Sequence, residues 1–107
     1  MINYDWQLNR VDIQYLPETN EAQLMEIHWG CRATDDADPD NPVSAVGSIG
    51  VVDENYIYPA ATVKNVTKQQ VFQFLNNKLG HEKERIKQNL AAQLAVHSLT
   101  NSFVPTD

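Results

Sequence analysis

The stretch 66–99, VTKQQVFQFLNNKLGHEKERIKQNLAAQLAVHSL, decides the fold. It opens on Thr67 with Gln70 three residues on, which is the pattern of a capping box, and Val66 and Val71 flank the cap as a hydrophobic staple. Val71, Phe72, Phe74, Leu75 and Leu79 then recur at helical spacing, so the first helix is expected over 67–79. Gly80 suits a left-handed stop or a kink. A second helix is expected over 82–99, with Ile86, Leu90 and Leu94 as an i, i+4 stripe. Its first half carries Glu82, Lys83, Glu84, Arg85 and Lys87; its second half carries no charge, and Ala91, Ala92, Ala95, Val96 and Leu99 surround the stripe. A helix apolar on more than one face is buried on more than one side, which a domain this small does not provide alone.

Upstream, the pattern changes from a period near 3.6 to a period of 2. Over 4–16, Tyr4, Trp6 and Leu8 hold one phase and Val11, Ile13 and Tyr15 the other. A bulge at Asn9 and Arg10, or two short strands meeting there at a bend, keeps both sets facing the core. Residues 17–20, PETN, are a turn. Residues 22–33 alternate, with Met25, Ile27, Trp29, Cys31 and Ala33 on one face and Leu24, Glu26, His28, Gly30 and Arg32 on the other. The two segments make an antiparallel hairpin. Residues 34–42, with four aspartates and two prolines, read as a loop. Alternation resumes over 43–52, where Gly47 and Gly50 leave room for a helix or a neighbouring subunit to lie close. Residues 56–58 are a short extra strand or an extended crossing, and 60–65 lead into the helix cap. The fold class is therefore α+β: one domain over 1–107, a small antiparallel sheet of three to four strands covered by C-terminal helices. Trp6, Ile27, Trp29, Ile49, Val51, Phe72, Leu75 and Leu90 are its expected core.

The 107 residues carry a formal net charge of −6. That balance opposes binding to a nucleic-acid backbone or to an anionic membrane. The start, MINYDW, lacks the basic and apolar regions of a secretory signal, and no apolar run approaches a membrane span. Cys31 is the single cysteine, so no intrachain disulfide is expected. It shares a face with Trp29 and reads as a buried, inert thiol. His81 and His97 have no histidine or cysteine at i, i+3 or i, i+4, and His28 and Cys31, three apart on a strand, lie on opposite faces, which argues against zinc. The carboxylates at 36, 38 and 40 alternate like calcium ligands, but an EF-hand's glycine and twelfth-position glutamate are missing. The sequon at 65–67 is accounted for by the helix cap. With no phosphate loop and no nucleophile elbow, neither catalytic residues nor cofactor- or metal-binding residues are assigned, and no enzyme is expected.

Several segments together resemble a group of short, uncharacterised tailed-bacteriophage proteins found in cyanophages and other marine phages. They are the strand bearing Trp6, the segment Met25-Glu26-Ile27-His28-Trp29 before an Asp-rich loop, the small-residue strand Val46-Gly47-Ser48-Ile49-Gly50-Val51, and the helix start Thr67-Lys68-Gln69-Gln70-Val71. The Asp/Pro loop is longer here than in that group. The resemblance implies a phage origin, synthesis in the host cytoplasm and a place in the virion. The function expected is a structural one: a capsid decoration or a neck or tail component, partnered by other phage structural proteins and by itself. The alternative is a soluble acidic inhibitor of a host enzyme or defence system, presenting 35–40 to a basic cleft. The interface expected from the residues is Val96, Leu99, Phe103 and Val104, with the tail either fraying or docking on a neighbour.

Overall fold

The computed structural model describes residues 1–99 and Pro105, with 97–99 described by their backbone alone. Four strands, β1 (Ile2–Leu16), β2 (Glu21–Asp35), β3 (Asp38–Gly50) and β4 (Ile57–Pro59), form one antiparallel sheet, and two helices, α1 (Lys68–Leu79) and α2 (Glu82–Leu99), follow it. The α+β class is as the periodicities require. β2 is central: β1 runs along one side, and β3 and then β4 share the other. The β1–β2 turn closes through Asn20 at φ 55°, a conformation asparagine tolerates.

The register of β1 on β2 shifts between Leu8 and Arg10, so the bulge falls where the phase change puts it. A second shift lies between Asp12 and Ile13, where Met25 is the extra residue on β2. This second bulge corrects the face reading of 22–33. Leu24 and Ala22, rather than Met25, continue the buried face of Ile27, Trp29, Cys31 and Ala33. Ile13 and Tyr15 stand opposite Leu24 and Ala22, on the same inner face, yet they are 47% and 54% exposed because the helices do not extend over them.

The expected loop over 34–42 is also corrected. β2 continues to Asp35 and β3 starts at Asp38, with only Asp36 and Ala37 between. Pro39 and Pro42 are tolerated because β3 is an edge strand. The aspartates hold the turn: Asp35 Oδ1 accepts from Ala37 N–H at 3.0 Å, Asp36 Oδ1 accepts from Asn3 Nδ2, and Asp38 accepts from Asn41 Nδ2. Residues 57–59 are the extra strand.

α1 begins as its sequence dictates. Thr67 Oγ1 accepts from Gln70 N–H at 3.2 Å, and Gln70 Oε1 accepts from Thr67 N–H at 3.0 Å. Gly80 ends it at φ 51°. Val71, Leu75 and Leu79 point inward, and Phe74 stacks on Tyr56 at 4.0 Å between ring centroids. On α2 the Leu90 and Leu94 stripe is buried, with Ile86 partly so. Of the expected core, Ile27, Trp29, Val51, Leu75 and Leu90 are buried, while Trp6, Ile49 and Phe72 pack partly buried against them. The room at Gly47 is taken by Trp29: a Cβ there would lie 2.6 Å from the indole Cζ2. At Gly50 a Cβ would meet only Met25 O, at 3.9 Å.

Candidate interaction surfaces

The direction of α2 sets one end of the molecule. Lys83 Nζ lies 5.1 Å from the Trp6 ring centroid and Lys87 Nζ 5.0 Å from that of Tyr4, and the Tyr4 hydroxyl donates to Lys87 O. The helix therefore runs antiparallel to β1, toward Ile2. A helix rises about 1.5 Å per residue and a strand about 3.4 Å. On that scale the level of Ile2 is reached roughly nine residues after Lys83, so the last turns lie at the Ile2 end of the sheet. The molecule is accordingly elongated, 75 × 22 × 18 Å, with a radius of gyration of 18.8 Å, where a compact chain of this size has about 13 Å. Val96 sits in these last turns, 58% exposed, on the side away from Leu90 and Leu94. Of the other residues expected at the interface, the Leu99 side chain and all of Phe103 and Val104 lie outside the described residues.

The opposite end carries a groove that pattern reading missed. Val11, Ile13, Leu24, Val63, Val66 and Val71 line a cavity of about 310 Å³, with Lys64 beside it. It lies between β1 and the segment that enters α1, next to the open edge of β1. Val66 and Val71, the staple pair, form one wall. The signal that pointed to it was the pair Ile13 and Tyr15: apolar and in phase with the inner face, on a strand far longer than the 12-residue helix above it.

On the uncovered face the register brings four charged or titratable groups together. Arg10 stands opposite His28, and Asp12 opposite Glu26. Arg10 Nε lies 2.9 Å from Asp12 Oδ1, and His28 Nε2 lies 2.7 Å from Asp12 Oδ2. Arg10 Nη2 is also 3.3 Å from His28 Nε2; the shorter contact assigns that nitrogen's proton to Asp12. The His28 hydrogen bond holds the Asp12 carboxyl below its ordinary range; it outweighs the opposing effect of burial, and the positive charge of Arg10 adds to it. Ligand atoms of Asp12, Glu26 and His28 lie within 4.8 Å of one another, a set that spacing along one strand does not reveal. Both oxygens of Asp12 are already engaged by Arg10 and His28, so the arrangement works as a cross-strand ion network that relieves two opposed carboxylates. A metal ion would have to displace the guanidinium.

Cys31 is buried, and burial pushes its thiol up, which makes it a poor nucleophile. His28 is on the opposite face, as the spacing requires, and His81 is exposed at the helix junction. No described helix is long and apolar enough to cross a membrane.

No curated protein and no solved structure matches the chain. A family model described as a domain of unknown function, DUF7936, matches residues 1–104. The match takes in the whole sheet, both helices and the segment that holds Phe103 and Val104, and the chain belongs to the DUF7936 family.

Proposed function

We propose that the chain is a small bacteriophage structural protein, a virion component such as a capsid decoration or a neck or tail protein, which acts through contacts with other phage structural proteins and with itself. The observation that carries the reading is the end of α2. It lies at the Ile2 end of the sheet and presents Val96 to solvent, a few residues before Phe103 and Val104 in the sequence. Burial of apolar surface is worth about 25 cal/mol per Å², much of it offset by the freedom lost on association. Many copies on one particle lower that entropic cost, because each contact after the first forms at high local concentration. The phage setting comes from the resemblance of the sequence to the marine-phage group; the contact chemistry comes from the residues.

The test is mass spectrometry of purified particles of the phage that encodes the chain. The reading expects the protein in the particle at many copies. Its absence from washed particles removes the virion role, and co-purification with a host enzyme instead would favour the acidic inhibitor.

A further inference from the structure

We propose that the groove at the β1–α1 end receives Phe103 and Val104 of a second copy of this chain, joining molecules head to tail. The groove is apolar, concave and lined by six aliphatic side chains. Its volume, about 310 Å³, is at the small end of the range for ligand pockets and suits one aromatic side chain with an aliphatic neighbour. Ile13, on its wall, is 47% exposed in the isolated molecule.

Reach favours a second copy over the chain's own segment as the occupant. The groove lies at Val11 and Ile13, and α2 runs away from it, past Trp6 and Tyr4 toward Ile2. Eleven strand residues separate Ile2 from Ile13, about 37 Å along the sheet. Phe103 follows Leu99 by four residues, a reach of at most about 14 Å. The occupant that the chain itself can offer is therefore another molecule's segment.

Chemistry matches on both sides. Residues 100–107, TNSFVPTD, hold two large apolar side chains and one ionisable residue, Asp107, which is acidic. The groove side offers Lys64, which makes no ion pair among the described residues, and the positive end of α1 behind its Thr67 cap. A proline biases the residue before it to extended backbone, so a Phe-Val-Pro sequence suits a slot beside a strand edge, and among the described residues β1 pairs on one side only. The groove lies at one end of the sheet, and α2, which leads to the donor segment, runs toward the other. The contact is thus heterologous, and repeats of it give a ring or an open fibre rather than a two-fold dimer.

The proposal rests on the self-association half of the function given above, and its test is independent of the virion. Full-length chain is followed by sedimentation velocity over a concentration series, with Phe103→Asp as the variant lacking a donor and Ile13→Asp as the one lacking an acceptor. Wild type is expected to form species larger than dimers. Each variant alone is expected to associate at least about tenfold more weakly, as when a central anchor is removed. Mixed together, the two variants should form one-to-one pairs and nothing larger, because one intact tail meets one intact groove. Lys64→Glu, which leaves the wall intact, gives a second acceptor variant should Ile13→Asp misfold; it should weaken association more at low salt than at high salt. A wild-type chain that is monomeric up to about 1 mM, a Phe103→Asp variant that associates like wild type, or a mixture that does not pair overturns the proposal. A negative result here leaves the particle experiment open, and absence from particles leaves this contact standing.

Discussion

Replacing Gly47 by Ala should destabilise the protein, although removing a glycine from a strand ordinarily helps. Gly47 stands opposite Trp29 across β2 and β3. A Cβ on it would lie 2.6, 3.0 and 3.2 Å from three atoms of the indole. Carbon atoms prefer about 3.5–4.0 Å, so the ring must retreat by about 1 Å. Trp29 has little room to do so: it is buried, and its other flank meets Trp6 at 5.6 Å between centroids. Overpacking of this kind costs about 1–3 kcal/mol. The backbone freedom that Ala removes from the unfolded chain returns about 0.4–1 kcal/mol. The net loss is about 1–2 kcal/mol, toward the lower end if the edge strand β3 moves outward. Gly50, three residues on, is the control. Its added Cβ meets only Met25 O at 3.9 Å, and its φ is not positive, so Gly50→Ala should be neutral or stabilising by up to about 1 kcal/mol. Urea unfolding followed by tryptophan fluorescence reads both variants. For a domain of this size each kcal/mol moves Tm by about 4–8 °C. In a Trp29→Leu background the cost of Gly47→Ala should largely disappear, which assigns the clash to the indole. A Gly47→Ala protein as stable as Gly50→Ala would refute the packing described for Trp29.

Four further outcomes are expected. Thr67→Ala removes the cap of α1 and should cost about 1 kcal/mol, measured by thermal melting; no change would mean that the capping box is not formed in solution. Asp12 has a depressed folded-state pKa, so its contribution is present above the ordinary carboxylate range and is lost as pH falls through the lower folded value. Asp12→Asn should therefore flatten that part of the acid limb of the pH–stability curve, and an unchanged limb would count against the network with Arg10 and His28. Val96→Glu should leave the fold intact to within about 0.5 kcal/mol, because the side chain is mostly in water, while weakening self-association; outright unfolding would place Val96 in the monomer core. Added calcium should leave Tm unmoved, since a ligand that binds only the folded state must raise it, and a rise of many degrees at micromolar calcium would restore the 36–40 carboxylates as a site.

What could be read from the sequence was whatever is decided locally. The cap of α1 needs only Thr67, Gln70 and their own backbone, so four residues suffice to place it. The bulge at Asn9 shows as a change of phase within one strand. The bulge at Met25 does not, because Leu24 and Met25 are adjacent and both apolar, and alternation alone cannot say which one joins Ile27 on the buried face. The stretch 34–42 has the composition of a loop, but strand position outweighs composition: at a sheet edge a proline forfeits no ladder bond. The cluster of Arg10, Asp12, Glu26 and His28 depends on cross-strand register, and that register depends on both bulges. The groove depends on how far α1 reaches over β1, a relation between elements that no periodicity carries.

The two ends of the molecule follow from one mismatch of lengths. Strands of 15 residues extend about 50 Å. The 12 residues of α1 rise about 18 Å and the 18 of α2 about 27 Å. Laid end to end without offset, the two helices would nearly cover the sheet. The kink at Gly80 and the run of α2 toward Ile2 shift the layer along it instead. The displacement uncovers Ile13 and Tyr15 at one end, and Val96 is exposed toward the other. A cover displaced along its sheet thus leaves apolar side chains in water toward both ends, which is where contacts with other molecules gain most from burial.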